Sequence, residues 1–202
     1  MGNAQRALII GNDKYPGASL RNCVNDANGL SQTVRRLGFD VQCRTNLNMN
    51  AMVSAANQFV ESITRSAIVL FYFSGHGCQC NGVNYLMTTN ADQPGESNIQ
   101  NCALDAQTLI EVISKKRPKL LLFILDCCRE YLLNRSNSAS TSYGKSISLR
   151  SGPVPMRAAE IKTDYWNSAS SVPTIIAFSC TERIQLQEIT QIMVSMGHIH
   201  TT

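Results

Sequence analysis

KLLLFILDCCRE (residues 119–130) and IVLFYFSGHG (residues 68–77) are two apolar runs, and each stops at a short polar turn that carries a reactive side chain. The first run delivers Cys128 and the second delivers His76. Continuous apolar runs of this length, rich in β-branched and aromatic residues, are typical of central strands that are covered on both faces. Because ligands of open α/β sheets bind outside the carboxyl ends of the strands, we expect both side chains to face one site.

The segments around these two runs alternate between strand and helix patterns. Short apolar or alternating runs predict strands, and apolar residues at three- and four-residue steps predict helices. The predicted strands cover residues 6–11, 39–43, 67–73, 119–125 and 172–180, and the predicted helices cover residues 21–37, 52–63 and 105–114. Residues 78–103 read as loop with one short strand at VNYLM. This alternation predicts a three-layer α/β/α fold in which helices flank a mainly parallel central sheet.

The length of the chain predicts its domain organisation. A chain of 202 residues is long enough for one domain with a sizeable core, so we expect a single domain over residues 1–202. Residues 134–172 are polar, rich in serine and without periodic apolar positions, which predicts a long flexible loop. Apolar residues between positions 186 and 196 predict a final helix.

Composition and charge argue against several classes of function. The net charge is +4 and no run of five basic residues occurs, so nucleic-acid binding has no compositional support. No stretch reaches the ~18 apolar residues of a membrane-spanning helix, and the N-terminus lacks a signal-peptide pattern. We therefore expect a cytoplasmic protein without a membrane partner. In that setting the eight cysteines are expected to be reduced thiols rather than disulfides.

The cysteine doublet can be resolved by strand geometry. A period of two places Asp126 and Cys128 on one side of the run and Cys127 on the other side. Cys128 is therefore the candidate nucleophile, and Cys127 is predicted to point into the core.

His76 and Gly77 supply the other groups that a thiol nucleophile needs. His76 could act as the general base, or as an imidazolium that lowers the pKa of the thiol. Gly77 lets a substrate carbonyl approach closely and offers its backbone N–H. That N–H and the N–H of Cys128 form a candidate oxyanion hole, in which one donor contributes about 3 kcal/mol.

Ordinary structural explanations exist for these residues as well. A His-Gly pair is most often a turn, and a cysteine at a strand end is most often buried. The catalytic interpretation is favoured because His76 precedes Cys128 by 52 positions (128 − 76), close to the ~50 residues that separate the histidine and cysteine of caspases. A metal site of His76, Cys78 and Cys80, with Cys102, is a third alternative, but its spacing differs from the paired C-x₂-C of zinc frameworks. We expect no metal and no other cofactor.

Three motifs in order carry a resemblance to a known family. They are LRNCVNDANGL (residues 20–30), YFSGHG (residues 72–77) and LLLFILDCCR (residues 120–129). Together they resemble the caspase-fold cysteine peptidases of the metacaspase and paracaspase group. The first motif is most similar to metacaspases, and the DCCR ending is more similar to paracaspases. Beyond about residue 180 the similarity falls, so we expect the C-terminal end to be divergent or truncated.

This resemblance implies an activity and a specificity. It implies a cysteine endopeptidase with a Cys–His dyad, here Cys128 and His76, acting on protein or peptide substrates. In this group acidic pocket residues bind Arg or Lys before the cleaved bond, and Asp26 and Asp126 match two of the acidic positions. Two carboxylates would pair well with a guanidinium, so we expect cleavage after Arg, with Lys second. The structural alternatives are a helix first-turn acid for Asp26 and a strand-end hydrogen bond for Asp126.

A second hypothesis is a catalytically weak or inactive caspase-fold module with a scaffolding or signalling role. It arises because the substrate loops of this fold come partly from the C-terminal part, where the resemblance is weakest. The resemblance also allows a homodimer, although no stretch of the sequence indicates an interface.

Overall fold

The structure is a computed structural model that describes residues 4–91, 97–127, 129–131 and 172–179. Its strands are β1 (Gln5–Gly11), β2 (Asp40–Thr45), β3 (Ile68–Ser74), β4 (Gly77–Cys80), β5 (Val83–Met87), β6 (Ala103–Asp105), β7 (Leu120–Asp126), β8 (Arg129–Tyr131) and β9 (Thr174–Ser179). Its helices are α1 (Cys23–Arg36), α2 (Met49–Ser62), α3 (Ile99–Cys102) and α4 (Ala106–Lys115). The predicted loop over 134–172 and the predicted helix over 186–196 lie outside the described residues.

The main sheet has five parallel strands in the order β2-β1-β3-β7-β9. Side chains that alternate along these strands bury two separate cores. One core packs β1, β3 and β7 against α2 and α4, and the other packs the opposite face of the same strands against α1. The predicted three-layer α/β/α architecture with a mainly parallel sheet is therefore confirmed.

Capping side chains explain where the helices begin. Asn48 accepts a hydrogen bond from the N–H of Ala51, and α2 therefore starts three residues before its first predicted apolar position. Asp105 accepts from the N–H groups of Gln107 and Thr108 at the start of α4. The described helices and strands otherwise end within a few residues of the predicted bounds, which is the usual accuracy of element boundaries.

The prediction for residues 78–103 is confirmed at the strand VNYLM, which is β5, and is wrong for the loop around it, which contains β4 and the helix α3. The segment contains a β-hairpin of β4 and β5, to which β6 adds an antiparallel strand and β8 a parallel one, in the order β6-β5-β4-β8. The hairpin turns at Asn81 and Gly82, whose φ angles are +50° and +79°. Two-residue hairpin turns need positive φ at both positions, and Asn-Gly is their strongest sequence signal. The strand β4 has only four residues, too few to show a periodic pattern of apolar residues, so periodicity does not reveal this strand.

No helix in the described part of the chain is long and apolar enough to cross a membrane. The prediction of one domain over residues 1–202 stays a prediction, because much of the C-terminal third lies outside the described residues.

Candidate active site

Two strand ends of the main sheet bring the predicted dyad segments together. In the pairing of β3 with β7, Ser74 lies opposite Asp126, and in the pairing of β4 with β8, Gly77 lies opposite Arg129. Backbone pairs therefore flank His76 on one chain segment and position 128 on the other. Cys128 itself lies outside the described residues.

The imidazole of His76 is half-buried and has a defined partner. Its Nε2 lies 2.7 Å from the carbonyl oxygen of Ala18, in the loop between β1 and α1. A carbonyl oxygen can only accept a hydrogen bond, so Nε2 carries the proton and donates it. In the neutral imidazole this leaves Nδ1 as the basic nitrogen.

The ring of Tyr15 packs against the same imidazole. The two ring centroids are 4.5 Å apart with an interplanar angle of 64°, an edge-to-face arrangement. A Cβ on residue 75 would fall on the hydroxyl oxygen of Tyr15 and within 2.8 Å of the Phe73 ring. Glycine at position 75 is therefore what lets Tyr15 reach the histidine.

Gly77 begins β4 directly after the histidine and is buried. The N–H of Met87 donates to the carbonyl of His76 at 2.9 Å, so His76 and Met87 occupy a hydrogen-bonded position of the antiparallel ladder. Hydrogen-bonded and non-hydrogen-bonded positions alternate along the ladder, so the next position, Gly77 opposite Leu86, is a non-hydrogen-bonded one. Its N–H therefore points away from β5, towards the side on which β8 lies.

The two predicted pocket acids lie on the α1 face of the sheet. Asp126 ends β7, and its Oδ2 accepts a hydrogen bond of 3.1 Å from the hydroxyl of Tyr72. Asp26 is half-buried in the first turn of α1. Burial raises the pKa of Tyr72 well above its usual range, and the negative charges of Asp126 and Asp26 raise it further. Asp126 therefore contacts the Tyr72 phenol directly, and the charge of Asp26 also acts on that phenol.

Cys23 is a third polar group near Asp126. Burial raises the pKa of its thiol to about 11, a hydrogen bond with Ser74 opposes that rise, and the charges of Asp13 and Asp126 add to it. Asp13 also accepts hydrogen bonds from the N–H of Cys23 at 2.8 Å and of Val24 at 3.3 Å, which fixes the start of α1. At neutral pH Cys23 is thus a protonated thiol, poorly suited to nucleophilic attack.

The other cysteines near the dyad are buried. Cys127 belongs to the core beneath α2 and α4, as the strand period predicted. Cys78, Cys80 and Cys102 lie in a small core beneath the hairpin, which they share with Tyr15 and Met87. Within the described ranges no three His, Cys, Asp or Glu side chains form a group that could hold a metal ion.

Three residues that hydrogen-bond to the candidate site groups could not be identified from the sequence. Tyr15, Ala18 and Tyr72 were not among the predicted site residues. Tyr72 lies inside an apolar run, where its hydroxyl gives no separate signal. Tyr15 and Ala18 lie in a turn-rich segment that contacts the histidine 61 and 58 positions further along the chain.

Comparisons with known proteins point in the same direction. The chain is similar to the mucosa-associated lymphoid tissue lymphoma translocation protein 1 of Homo sapiens and to its homolog in Mus musculus. Each is 30% identical over 125 residues, which is 61% of this chain and 15% of the relative. The chain thus spans about 15% of the length of these relatives. A crystal structure of a Geobacter sulfurreducens protein matches at 18% identity with a TM-score of 0.44, over 62% of this chain and 50% of that one, a score too low to bear on the fold.

The family is shown by a match along most of the chain. A family model described as the caspase domain covers residues 4–187. This range includes all three motifs of the sequence resemblance, and the similarity to the metacaspase and paracaspase group is confirmed. The chain therefore belongs to the caspase domain family of cysteine peptidases.

Proposed function

We propose that the chain is a cysteine endopeptidase that cleaves peptide bonds after Arg, and less well after Lys, through a dyad of Cys128 and His76. The observation that carries this proposal is the double pairing of the two strand ends. Ser74 and Gly77 on one segment lie opposite Asp126 and Arg129 on the other. These pairs bring the described residues on either side of position 128 next to those on either side of His76, which supports the assignment of the two as a dyad.

The hydrogen bond between Nε2 of His76 and the Ala18 carbonyl supports different roles for the two ring nitrogens in the reaction. Nε2 holds its proton against the carbonyl of Ala18, so Nδ1 takes the thiol proton of Cys128. The thiolate sulfur then forms a bond to the substrate carbonyl carbon, and the carbonyl oxygen becomes an oxyanion. The N–H groups of Gly77 and Cys128 are the proposed donors to that oxyanion.

Collapse of this intermediate releases the amine product. The C–N bond breaks as Nδ1 of His76 returns its proton to the leaving nitrogen, which leaves a thioester on Cys128. A water molecule then attacks the thioester while Nδ1 takes one of its protons. The C–S bond breaks, the acid product leaves, and the sulfur regains a proton from the imidazolium.

The proposed preference for Arg rests on the charges at the α1 face. Asp126 and Asp26 both act on the phenol of Tyr72, and the nearby thiol of Cys23 stays neutral, so the pocket is acidic. A guanidinium can bind a carboxylate through two parallel hydrogen bonds, whereas an ammonium binds as a point charge. This geometry favours Arg over Lys at the residue before the cleaved bond.

Hydrolysis of short fluorogenic peptides tests the proposal. Arg-ended peptides should be cleaved, Lys-ended peptides more slowly, and Asp-ended peptides not at all. Cys128→Ala should abolish cleavage, whereas the matched variant Cys127→Ala should retain it. Preference for Asp-ended peptides, or loss of activity in both variants while each remains folded, would contradict the assignment.

An acyloxymethylketone probe with an Arg side chain separates this function from the scaffold hypothesis. The probe should label the wild type at Cys128 and should fail on His76→Ala. A folded wild type that neither reacts with the probe nor cleaves peptide would favour the inactive scaffold.

A further inference from the structure

The hairpin ladder next to His76 has an irregular last position. At an ordinary hydrogen-bonded position of an antiparallel pair, the two residues exchange two N–H···O=C bonds. His76 and Met87 make only one of them, from the N–H of Met87 to the carbonyl of His76. In place of the second bond stands the hydroxyl of Tyr15, which accepts from the N–H of His76 at 3.1 Å and donates to the carbonyl of Met87 at 3.2 Å.

The result is a closed ring of three hydrogen bonds through His76, Tyr15 and Met87. A hydroxyl inserted into a ladder holds the two strands further apart than a direct bond would. The hydroxyl therefore sets the distance between the backbone of His76 and the backbone of Met87. Glycine at position 75 leaves the room for it, since any Cβ there would meet the hydroxyl oxygen.

Tyr15 also organises the acceptor on the other side of the imidazole. Its carbonyl accepts from the N–H of Ala18 at 3.2 Å and from the hydroxyl of Ser19 at 3.2 Å, which closes the turn over residues 15–18. That turn carries the Ala18 carbonyl that binds Nε2 of His76. One residue thus contacts the histidine at its backbone, at its ring and through its acceptor.

We propose that Tyr15 is a positioning residue for His76, and that its hydroxyl, inserted in the ladder between His76 and Met87, sets the place and the tautomer of the imidazole. The proposal rests on the proposed function for its effect on catalysis, but its effect on the histidine can be measured without activity. Burial also raises the pKa of Tyr15 well above its usual range, so the phenol keeps the proton that it donates to Met87.

Removal of the hydroxyl has a localised consequence. In Tyr15→Phe the carbonyl of Met87 keeps a second donor, Nδ2 of Asn12 at 3.2 Å. The N–H of His76 is the group that loses its partner. It can regain one only by closing directly onto Met87, which would draw the histidine away from the Ala18 carbonyl. The Phe side chain keeps the packing in the small core, so folding should persist while the imidazole shifts.

The test compares Tyr15→Phe with Tyr85→Phe in the 202-residue chain. Tyr85 is buried in the same small core but has no contact with His76 among the interactions of the described residues. With the Arg-ended peptide, Tyr15→Phe should lower kcat at least tenfold and leave KM within twofold, and Tyr85→Phe should change neither. The chain has three histidines, which makes the ¹⁵N spectrum of His76 assignable with one His76→Ala sample. Wild-type His76 should show the Nε2–H tautomer, and Tyr15→Phe should show a mixture.

The outcomes separate the possible failures. If the wild type cleaves no peptide but the tautomer of His76 changes in Tyr15→Phe, the proposed function fails and the positioning role stands. An unchanged tautomer together with unchanged kcat in folded Tyr15→Phe overturns the positioning role. So does an equal loss of kcat in Tyr85→Phe. If Tyr15→Phe does not fold, amide exchange in the wild type decides: the His76 amide should exchange as slowly as the strand amides around it, and fast exchange would overturn the proposal.

Discussion

Tyr72→Phe removes the hydroxyl that donates to Oδ2 of Asp126, and it leaves the ring in the core under α1. A hydrogen bond to a charged acceptor contributes about 1.5–3 kcal/mol. Under the proposed function we expect the carboxylate to keep this bond when substrate binds, so only the orienting part of the bond affects binding. If that part is about half of a ~2 kcal/mol bond, KM for an Arg substrate rises roughly fivefold.

The size of the effect should depend on the substrate. An Arg side chain needs both carboxylate oxygens in a fixed plane, whereas a Lys ammonium does not. We expect Tyr72→Phe to raise KM for Arg-ended peptides about fivefold and to leave KM for Lys-ended peptides within twofold, with kcat unchanged for both. Steady-state kinetics on matched Arg and Lys peptides measure this, with Tyr85→Phe as the control. An equal change for the two peptides, or a fall in kcat without a change in KM, would refute the orienting role of Tyr72.

Three further predictions test the pocket and the fold. Asp26→Asn should lower kcat/KM for Arg-ended peptides about tenfold, because one charge-assisted contact to the guanidinium is lost. Labelling with an uncharged peptide ketone should stay unchanged. Equal losses with both reagents would count against a role of Asp26 in binding Arg. Between pH 9 and 11 the unfolded chain loses the Cys23 proton while the folded chain keeps it, so the unfolding free energy should fall as pH rises. In urea titrations the unfolding free energy of Cys23→Ala should fall less steeply with pH than that of the wild type. An equally steep fall in both proteins would contradict the raised pKa of Cys23. Arg117 has a φ of +54°, so Arg117→Gly should raise the unfolding free energy by about 1 kcal/mol. The control Lys116→Gly, at a helical φ of −74°, should lower the unfolding free energy. A lower unfolding free energy in both variants would refute the argument that Arg117 is strained.

The fold could be predicted from the sequence because its main sheet is unusually regular. The strands β3 and β7 are buried over almost their whole lengths, so they appear as continuous apolar runs. The hairpin of β4 and β5 was harder to predict, because its first strand has four residues and its face mixes cysteine with polar side chains. The Asn-Gly pair at its turn indicates this hairpin, because Asn-Gly is typical of two-residue hairpin turns.

The residues of the candidate site also differ in how far the sequence predicts them. The positions of Asp126 and His76 in the fold could be predicted because each follows or ends an apolar run, and those strand ends meet by topology. The contacts of Tyr15 could not be predicted, because they join a loop to a strand end 61 positions away and depend on the absence of a Cβ at Gly75. No local pattern encodes such a contact. Sequence periodicity therefore predicts where the candidate groups lie in the fold, whereas their orientation depends on tertiary contacts.

Two buried tyrosines allow the orientation of the imidazole and the orientation of the Asp126 carboxylate to be tested separately. Tyr15 holds the imidazole from the hairpin side, and Tyr72 holds the Asp126 carboxylate from the α1 side. They belong to different cores, so the loss of one hydroxyl should not disturb the other. If the proposed dyad and pocket are correct, Tyr15→Phe acts on kcat and Tyr72→Phe acts on KM. The double variant should then show the product of the two changes, because groups in separate cores with no shared partner contribute independently. A marked departure from that product would mean that the pocket and the dyad are coupled through the strand end between Tyr72 and His76, which is the segment they share.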